Sequence, residues 1–394
     1  MGATFSGNAE FMGATFSRNA EFMGATFSGN AEFMGATFNE DTWFEGATFR
    51  YAGFKGATFS RNVGFRGATF SMDAGFKGAT FSWYAGFRGA TFSEYAGFEG
   101  ATFSRYAGFE GATFSGNAGF EGATFRHAGF EGATFSGNAV FEGVTFRYAG
   151  FKGATFSRNA GFKGATFNED TWFEGATFNG NAVFEGATFN GDAWFSGARF
   201  EGDVLTFRGA AFTNPAPQEN ACRRAKNVLE RNGDRDEAGY HFYREMEAKR
   251  KQKESNYSYF DHEALLVCKE LDMPSRELKD LRKYLRYNIL EYFFIQVVFG
   301  YGVHPFRIWG FWIFVAVIFA IFFWMGSGIN DSADEPLTNF LEYLWFSITV
   351  AVTPGLGGNK PASLIYFILA SIEAIFGTFM WAAFVTTFAR KYMR

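Results

Sequence analysis

The chain has 394 residues, and its 36 Lys and Arg against 40 Asp and Glu leave a net charge of −4. A balance so close to neutral argues against a protein that grips nucleic acid through its phosphates, and two cysteines, Cys222 and Cys268, are too few for a disulfide framework. The 57 Phe and 48 Gly would suggest a disordered low-complexity chain if they were not placed at fixed intervals. The four His, at 127, 241, 262 and 304, lack metal-ligand spacing, and no phosphate-binding loop or nucleophile elbow is present, so neither a metal site, a bound cofactor nor an enzymatic activity is expected. Met1 opens directly onto a polar β pattern, with no signal peptide expected before it.

From Gly2 to about Phe200 a unit of the form GATFSGNAEFM recurs about nineteen times with period 11, shortened to 10 at GATFRYAGFK, GATFRHAGFE and GVTFRYAGFK. Phe falls alternately five and six residues apart with Ala two before it, as in Ala14-Phe16 and Ala20-Phe22. This pattern resembles the pentapeptide-repeat family. The resemblance implies a right-handed quadrilateral β-helix over residues 1–212, with Phe and Ala inward and Thr, Ser, Asn, Glu and Arg in water. Four faces per coil and roughly nine coils at about 4.8 Å imply a rod on the order of 45 Å long, with wider corners at the SGN units than at the RY and RH units. Some members of the family imitate DNA, which needs a strongly negative surface. Here acidic and basic side chains are mixed over residues 1–203 and alternate in sign along the stack, so a solvated, charge-mixed face is expected instead.

Residues 213–277 form a linker and helical adaptor. TNPAPQEN (213–220) breaks the β pattern, and 221–255 reads as a helical hairpin whose first helix stops at Gly233 and whose second is capped by Asp234 or Asp236. The segment is similar to one that couples pentapeptide repeats to a two-helix pore, with Gly233, Asp234, Glu237, Ala238, Phe242, Tyr243, Met246 and Arg250 carrying the likeness. Within 278–304, LKDLRKYLRYNILEYFFIQVVF pairs basic with aromatic residues as an amphipathic helix, suited either to the inner leaflet or to packing. Gly300, Tyr301, Gly302, His304 and Pro305 then turn the chain.

Residues 305–394 hold two apolar stretches, about 306–325 and about 361–389, each long enough to cross a hydrocarbon core of about 30 Å. Between them, 337–352 is too short for a third crossing but suits a tilted helix with Thr338 or Asn339 as N-cap. It delivers its C-terminal dipole to Thr353-Pro354-Gly355-Leu356-Gly357, a Gly-alternating run affordable at membrane depth only where its backbone lines a water-filled path. The order of these parts resembles the two-transmembrane, potassium-channel-like pore, in which four subunits supply loops of the form TVGYG. The resemblance implies a re-entrant pore loop, a homotetramer, a filter at Thr353, Pro354, Gly355, Leu356 and Gly357, an inner-helix hinge at Gly377, and permeant monovalent cations.

The departures from that pattern bear on selectivity. Pro354 has no N–H for the scaffold behind the filter, Leu356 lacks the hydroxyl of the usual aromatic, and Gly358 stands where Asp usually follows. A weakly selective cation pore is therefore expected ahead of a K⁺-selective one, with anion passage a minor third because of Lys360 at the outer mouth. Thr349 occupies a position where the family often has Glu, and Glu373 is the one ionisable residue amid the second span. Glu373 is read either as filter support, bonded to Ser347 or Thr349, or as a carboxyl satisfied by a neighbouring helix. Gly377 is either a hinge or a close-packing site.

Lys269, Arg276, Lys279, Arg282, Lys283, Arg286 and Arg307 precede the first span and Arg390, Lys391 and Arg394 follow the second, while the intervening loop carries Asp331, Asp334, Glu335 and Glu342 against Lys360. Both termini are therefore expected on the cytoplasmic side of a cell membrane. The partners expected are the chain itself, the bilayer and monovalent cations, not nucleic acid. The alternative is a docking protein whose rods bind a partner while the membrane part anchors them.

Overall fold

A computed structural model describes residues 2–270, 293, 298–303, 305–352 and 359–392. The chain divides into two compact units, Met1–Lys253 and Glu254–Arg394.

The first unit is a β-solenoid. Short parallel strands stack coil upon coil, so that Thr4 and Phe5 pair with Thr26 and Phe27, an offset of 22 residues, and Thr37 and Phe38 pair with Thr58 and Phe59, an offset of 21. At each turn the Ala N–H donates to the carbonyl of the Phe three residues before, as from Ala14 to Phe11 at 3.1 Å. The Gly between them takes φ near +65°, which makes this a type II turn and explains the Gly fixed before Ala, or before Val144 in one unit. The core is Ala and Phe: Ala31, Phe33, Ala36 and Phe38 are all fully buried. Each Phe stacks on its equivalent in the next coil, as in Phe27 on Phe49 at 4.8 Å and 3°, and meets its neighbours within the core edge-on, as in Phe65 with Phe76 at 5.5 Å and 81°. Such pairs add about 0.5–1.5 kcal/mol each beyond area burial.

The shortened units flatten their corners. In Thr48–Gly53, Thr124–Gly129 and Thr145–Gly150 the two short strands of a unit fuse into one of six residues. Where a longer coil stacks on a shorter one, a bulge absorbs the extra residue, between Phe27 and Asn30 and between Phe103 and Tyr106. The Asn of the corners is more than a water-facing residue: its side-chain carbonyl accepts the backbone N–H of the next coil, from Asn30 to Asn8 at 3.1 Å and from Asn138 to Asn117 at 2.9 Å. Tyr84, Tyr95 and Tyr106 in that position instead lie across the Gly two residues on. A Cβ on Gly86, Gly97 or Gly108 would come within about 3.0 Å of Tyr84, Tyr95 or Tyr106, and on Gly97 and Gly108 it would also meet the carboxylate of Glu99 or Glu110, so these positions need Gly.

Helix α1, Pro215–Arg231, begins earlier than the expected 221, because Pro215 enters as the first helical residue with its fixed φ and TNPAP starts the helix that it was expected to delay. Gly233 at φ +82° ends it, and Asp234 accepts the N–H of Glu237 at 3.1 Å to cap α2, Arg235–Glu270, which continues well past the expected 255.

In the second unit, Gly300, Tyr301 and Gly302 form a left-handed turn ahead of α3, Pro305–Met325. Helix α4, Phe340–Val352, and α5, Leu364–Tyr392, follow. A two-residue pairing of Ile329–Asn330 with Lys360–Pro361 closes the connection, and Tyr366 donates to the Gly326 carbonyl at 3.2 Å beside Gly326 and Gly328, where any Cβ would strike its ring. Helices α3 and α5 are long and apolar enough to cross a membrane. Most of the amphipathic segment placed over 278–304 lies outside the described residues.

Candidate functional site

Helix α4 is built to stop short. Asn339 caps it by accepting the Leu341 N–H at 3.1 Å, and Glu342 reaches back to accept the N–H groups of Thr338 and Asn339 at 3.0 and 3.2 Å, a reciprocal capping box. This selects Asn339 over Thr338 as the cap and starts the helix at Phe340, after the expected 337. Tyr343 and Phe346 bury against Phe323 of α3 and Ala370 of α5, with the Tyr343 hydroxyl donating to the Leu337 carbonyl at 2.9 Å.

One turn further on, three helices meet at a polar contact. The Ser347 hydroxyl of α4 is fully buried and lies 2.7 Å from the Ala316 carbonyl of α3 and in hydrogen-bond contact with Oε1 of Glu373 on α5. Glu373 is itself buried, and its Oε2 has no hydrogen-bond partner among the described residues. One hydroxyl proton serves only one of two acceptors. A carboxylic-acid form of Glu373, donating to Ser347 while Ser347 donates to Ala316, satisfies the whole chain of contacts without a buried charge. Thr349 is directed elsewhere, donating to the Trp345 carbonyl of its own helix at 2.7 Å. The share of Ala316, a backbone carbonyl, has no side-chain signal in the sequence.

Gly377 sits directly against α4. A Cβ there would collide with the O, Cα and carbonyl carbon of Ala351, so the α4–α5 contact itself requires glycine at this position. Lys360 is exposed in the short strand after the loop. Thr353, Pro354, Gly355, Leu356, Gly357 and Gly358 lie outside the described residues.

The second site is the C-terminal end of the solenoid, and sequence analysis missed it. The bare edge of the last coil is closed by the α1–α2 hairpin. Ala221, Ala225, Val228, Leu229 and Ala238 join the Phe core. Arg224 donates to the Ala198 carbonyl at 3.1 Å, Arg231 to Phe200 and Gly202 at 3.3 and 3.2 Å, Asn232 to Asp203 at 2.8 Å, and Arg244 to Ala210 at 3.0 Å. The edge N–H groups are met too: Gly209 donates to the Tyr240 hydroxyl at 3.0 Å and Phe207 to Nε2 of His241 at 3.4 Å. A carbonyl edge thus receives guanidinium and amide donors, which removes the hazard of an open strand. Burial holds the His241 imidazole well below its usual pKa, while hydrogen bonds from Arg208 and Thr206 hold the Glu237 carboxyl down against its partial burial. Burial also pushes the Cys222 thiol up to about 12, so it packs as an apolar residue.

The expected sign alternation along the stack fails in the middle of the rod. Glu99, Glu121 and Glu142 occupy one corner in successive coils, joined by the backbone bonds from Gly100 to Glu121 and from Gly122 to Glu142. The strand register aligns Arg126 with Arg147 and sets Ser104 and Arg105, at the bulge, opposite Arg126. Exposed Trp83 stands over the end of that column with the Arg105 guanidinium 4.0 Å from its ring.

A family model described as pentapeptide repeats (9 copies) matches residues 2–48, 54–102, 98–145 and 141–188. Among solved structures, a trypsin-treated form of QnrB1, a plasmid-mediated fluoroquinolone resistance protein, is similar at 20% identity and a TM-score of 0.18, covering 59% of this chain and 96% of that one. No curated protein matches the sequence. The nine-copy match runs along the same Ala and Phe ladders that fill the core, and the N-terminal part of this chain is accordingly a β-solenoid of pentapeptide repeats.

Proposed function

We propose that the protein is a homotetrameric ion channel, in which four copies of α3, α4 and α5 surround a cation path and the pentapeptide-repeat rods, right-handed and four-faced, stand on the cytoplasmic side. The observation that carries this reading is α4. At thirteen residues it spans about 20 Å, too little to cross a bilayer, yet it packs on both long apolar helices and its C-terminus delivers the chain to Thr353. A re-entrant helix ending at a Gly-alternating filter uses such a layout, with the helix dipole offering partial negative charge to a cation.

In this reading Glu373 and Ser347 brace the filter from behind, while Pro354, Leu356 and Gly358 weaken discrimination between K⁺ and Na⁺. Both termini are cytoplasmic by the charge bias across the spans. The decisive experiment is current through the purified full chain in planar bilayers, with K⁺, Na⁺ and Cl⁻ gradients. Expected is a cation current whose reversal potential separates K⁺ from Na⁺ weakly. Absence of current under ligand, voltage and tension, together with a monomeric membrane part, would overturn the proposal and leave the solenoid as an anchored docking rod.

A further inference from the structure

The shortened units set arginines side by side at one corner of the solenoid. The corner lies in the strands Thr102–Gly108, Thr124–Gly129 and Thr145–Gly150, where Arg126 aligns with Arg147 and Arg105 stands at the bulge opposite Arg126. All three side chains are exposed. Coils repeat at about 4.8 Å, so the three arginines fall within about 10 Å along the rod. Arg126 and Arg147 each lie two residues after a threonine, Thr124 and Thr145, and in an extended strand such residues share a side, which adds hydroxyl donors to the same surface.

The chain leaves this corner without counter-charge. Among the described residues Arg105 and Arg126 form no ion pair, and Arg147 has only Glu169 at 4.0 Å, a contact between half-exposed side chains that is worth little. The glutamates of these coils turn onto the glycine faces. The carboxylates of Glu99, Glu121 and Glu142 lie over Gly97, Gly119 and Gly161, and those of Glu110 and Glu131 over Gly108, Gly129 and Gly150, with Glu110 accepting the Tyr106 hydroxyl. Like charges on neighbouring strands destabilise a sheet, so the arginine column is a feature that an anion would stabilise. The aromatic rings beside it are engaged with their neighbours: the Arg105 guanidinium lies 4.0 Å from the Trp83 ring and that of Arg61 5.7 Å, Tyr84 stacks on Tyr106 at 5.7 Å, and His127 stacks on Tyr148 at 4.9 Å. Recognition of single-stranded nucleic acid needs ring faces on which bases stack, and here the rings are taken, so the corner selects for charge alone.

We infer that Arg105, Arg126 and Arg147 form a binding site for phosphate groups set in a row, as in a tripolyphosphate or longer polyphosphate chain, with Thr124 and Thr145 donating to it. The guanidinium fork matches phosphate bidentately, and a phosphate chain brings several charges in a line, where a lone carboxylate meets one arginine. His127 reports on the site. Burial and the guanidinium groups of Arg126 and Arg147 hold its imidazole below the usual pKa, with Tyr148 stacked on it, Tyr106 opposite it in register and Glu131 beyond it on the glycine face. Bound phosphate offsets those positive charges and raises the His127 pKa, so binding takes up a proton and strengthens as pH falls. The inference concerns the solenoid alone and holds whether or not the membrane part conducts.

The test is equilibrium dialysis of radiolabelled tripolyphosphate against the full chain in detergent micelles at low salt. Saturable binding is expected, weakened at least tenfold by Arg126→Gln and less by Arg126→Lys, which keeps the charge and loses the fork. Arg88→Gln, on another corner, leaves it unchanged. Binding tightens between pH 8 and pH 6; tripolyphosphate itself takes up protons there, so the decisive quantity is the part of the trend that His127→Gln removes. Inositol trisphosphate in place of tripolyphosphate separates a lipid headgroup from a free phosphate chain as the source: tighter, Arg126-dependent binding of the inositol phosphate supports the site and assigns it to lipid. No binding of either probe, or an affinity that Arg126→Gln leaves unchanged, overturns the inference. So does a single-stranded oligonucleotide that binds through Arg126 where neither probe does. Binding is measured without current, so failure here and failure of the channel reading are separate outcomes.

Discussion

Two helical glycines in the second unit make opposite predictions for the same substitution. Ala exceeds Gly in helix propensity by about 0.8–1.0 kcal/mol, so a Gly→Ala change with free space around it stabilises. Gly310 on α3 is such a site, since a Cβ there meets nothing within 4 Å. At Gly377 the same methyl strikes three backbone atoms of Ala351, and a backbone cannot rotate aside as a side chain can. Overpacking of this kind costs about 1–3 kcal/mol. Subtracting the propensity gain leaves a net loss of roughly 0–2 kcal/mol for Gly377→Ala, against a gain of about 1 kcal/mol for Gly310→Ala. Detergent-driven unfolding of the full chain in mixed micelles, followed by helical circular dichroism, measures both. The Gly310→Ala midpoint moves up and the Gly377→Ala midpoint moves down. If Gly377→Ala matched or exceeded Gly310→Ala, the contact with Ala351 would not constrain α5 and the hinge role would regain ground. In bilayers the packing role predicts that Gly377→Ala alters conduction through the α4 position, whereas a hinge predicts a changed open probability with ion preference intact.

At the three-helix contact, Glu373→Gln retains a donor for Ser347 and keeps near-native conduction, whereas Glu373→Ala removes it and shifts the K⁺/Na⁺ reversal potential; equal reversal potentials in Glu373→Ala and wild type would sink the bracing role. In the solenoid, Phe87→Ala removes a ring stacked on Phe65 and Phe109 at 4.9 and 4.8 Å and costs about 3–5 kcal/mol, while Phe11→Ala in the partly open first coil costs less, a difference to be read in hydrogen-exchange protection of coils on either side. At the cap, Nε2 of His241 accepts the Phe207 N–H and is held neutral by burial, so the unfolded chain binds a proton near pH 6.5 that the native chain resists; stability of the capped end is full above that pH and falls as pH drops below it, and His241→Gln flattens the dependence seen by exchange at Phe207. Arg231→Ala frees the Phe200 and Gly202 carbonyls and lowers the solenoid's stability by about 1–2 kcal/mol, with a rise in concentration-dependent aggregation if the edge is thereby exposed.

The parts of the fold that were legible in the sequence are those with a local cause. Ala and Phe alternate inward because a strand has period two, and the fixed Gly before Ala answers to one backbone angle. The contact of Ser347 with Glu373 was also within reach, since a carboxyl in an apolar helix must find a partner and a hydroxyl on the neighbouring helix is among the few on offer. The start of α1 was not, because TNPAP contains both a helix breaker and a good first-turn residue, and only the packing of Ala221 and Ala225 on the last coil decides between them. The capping of the solenoid was hidden for a related reason. Arg224, Arg231 and Arg244 read as solvated charges along a helix, and their partners are main-chain carbonyls that any sequence would supply.

Charge along the rod was misread because it depends on coil length, not on order in the chain. Counting a uniform 22 residues from Arg105 arrives at His127, which would break the arginine column. The shortened unit at Arg126 changes the arithmetic: Phe103 pairs with Phe125 and Tyr106 with His127, so two residues of the longer strand, Ser104 and Arg105, face the single Arg126. The next coil is shortened as well and aligns Arg126 with Arg147 between the pairs Phe125 with Phe146 and His127 with Tyr148. A one-residue deletion leaves the Phe core untouched, since the Ala and Phe register resumes on either side, yet it decides which surface side chains become neighbours. In a rod of near-identical units, then, specificity resides where the units differ in length. Other columns both mix and repeat sign: Lys152 meets Glu174 at 3.4 Å and Lys163 meets Glu185 at 3.9 Å, while Arg66 and Arg88, and Glu110 and Glu131, stand in successive coils.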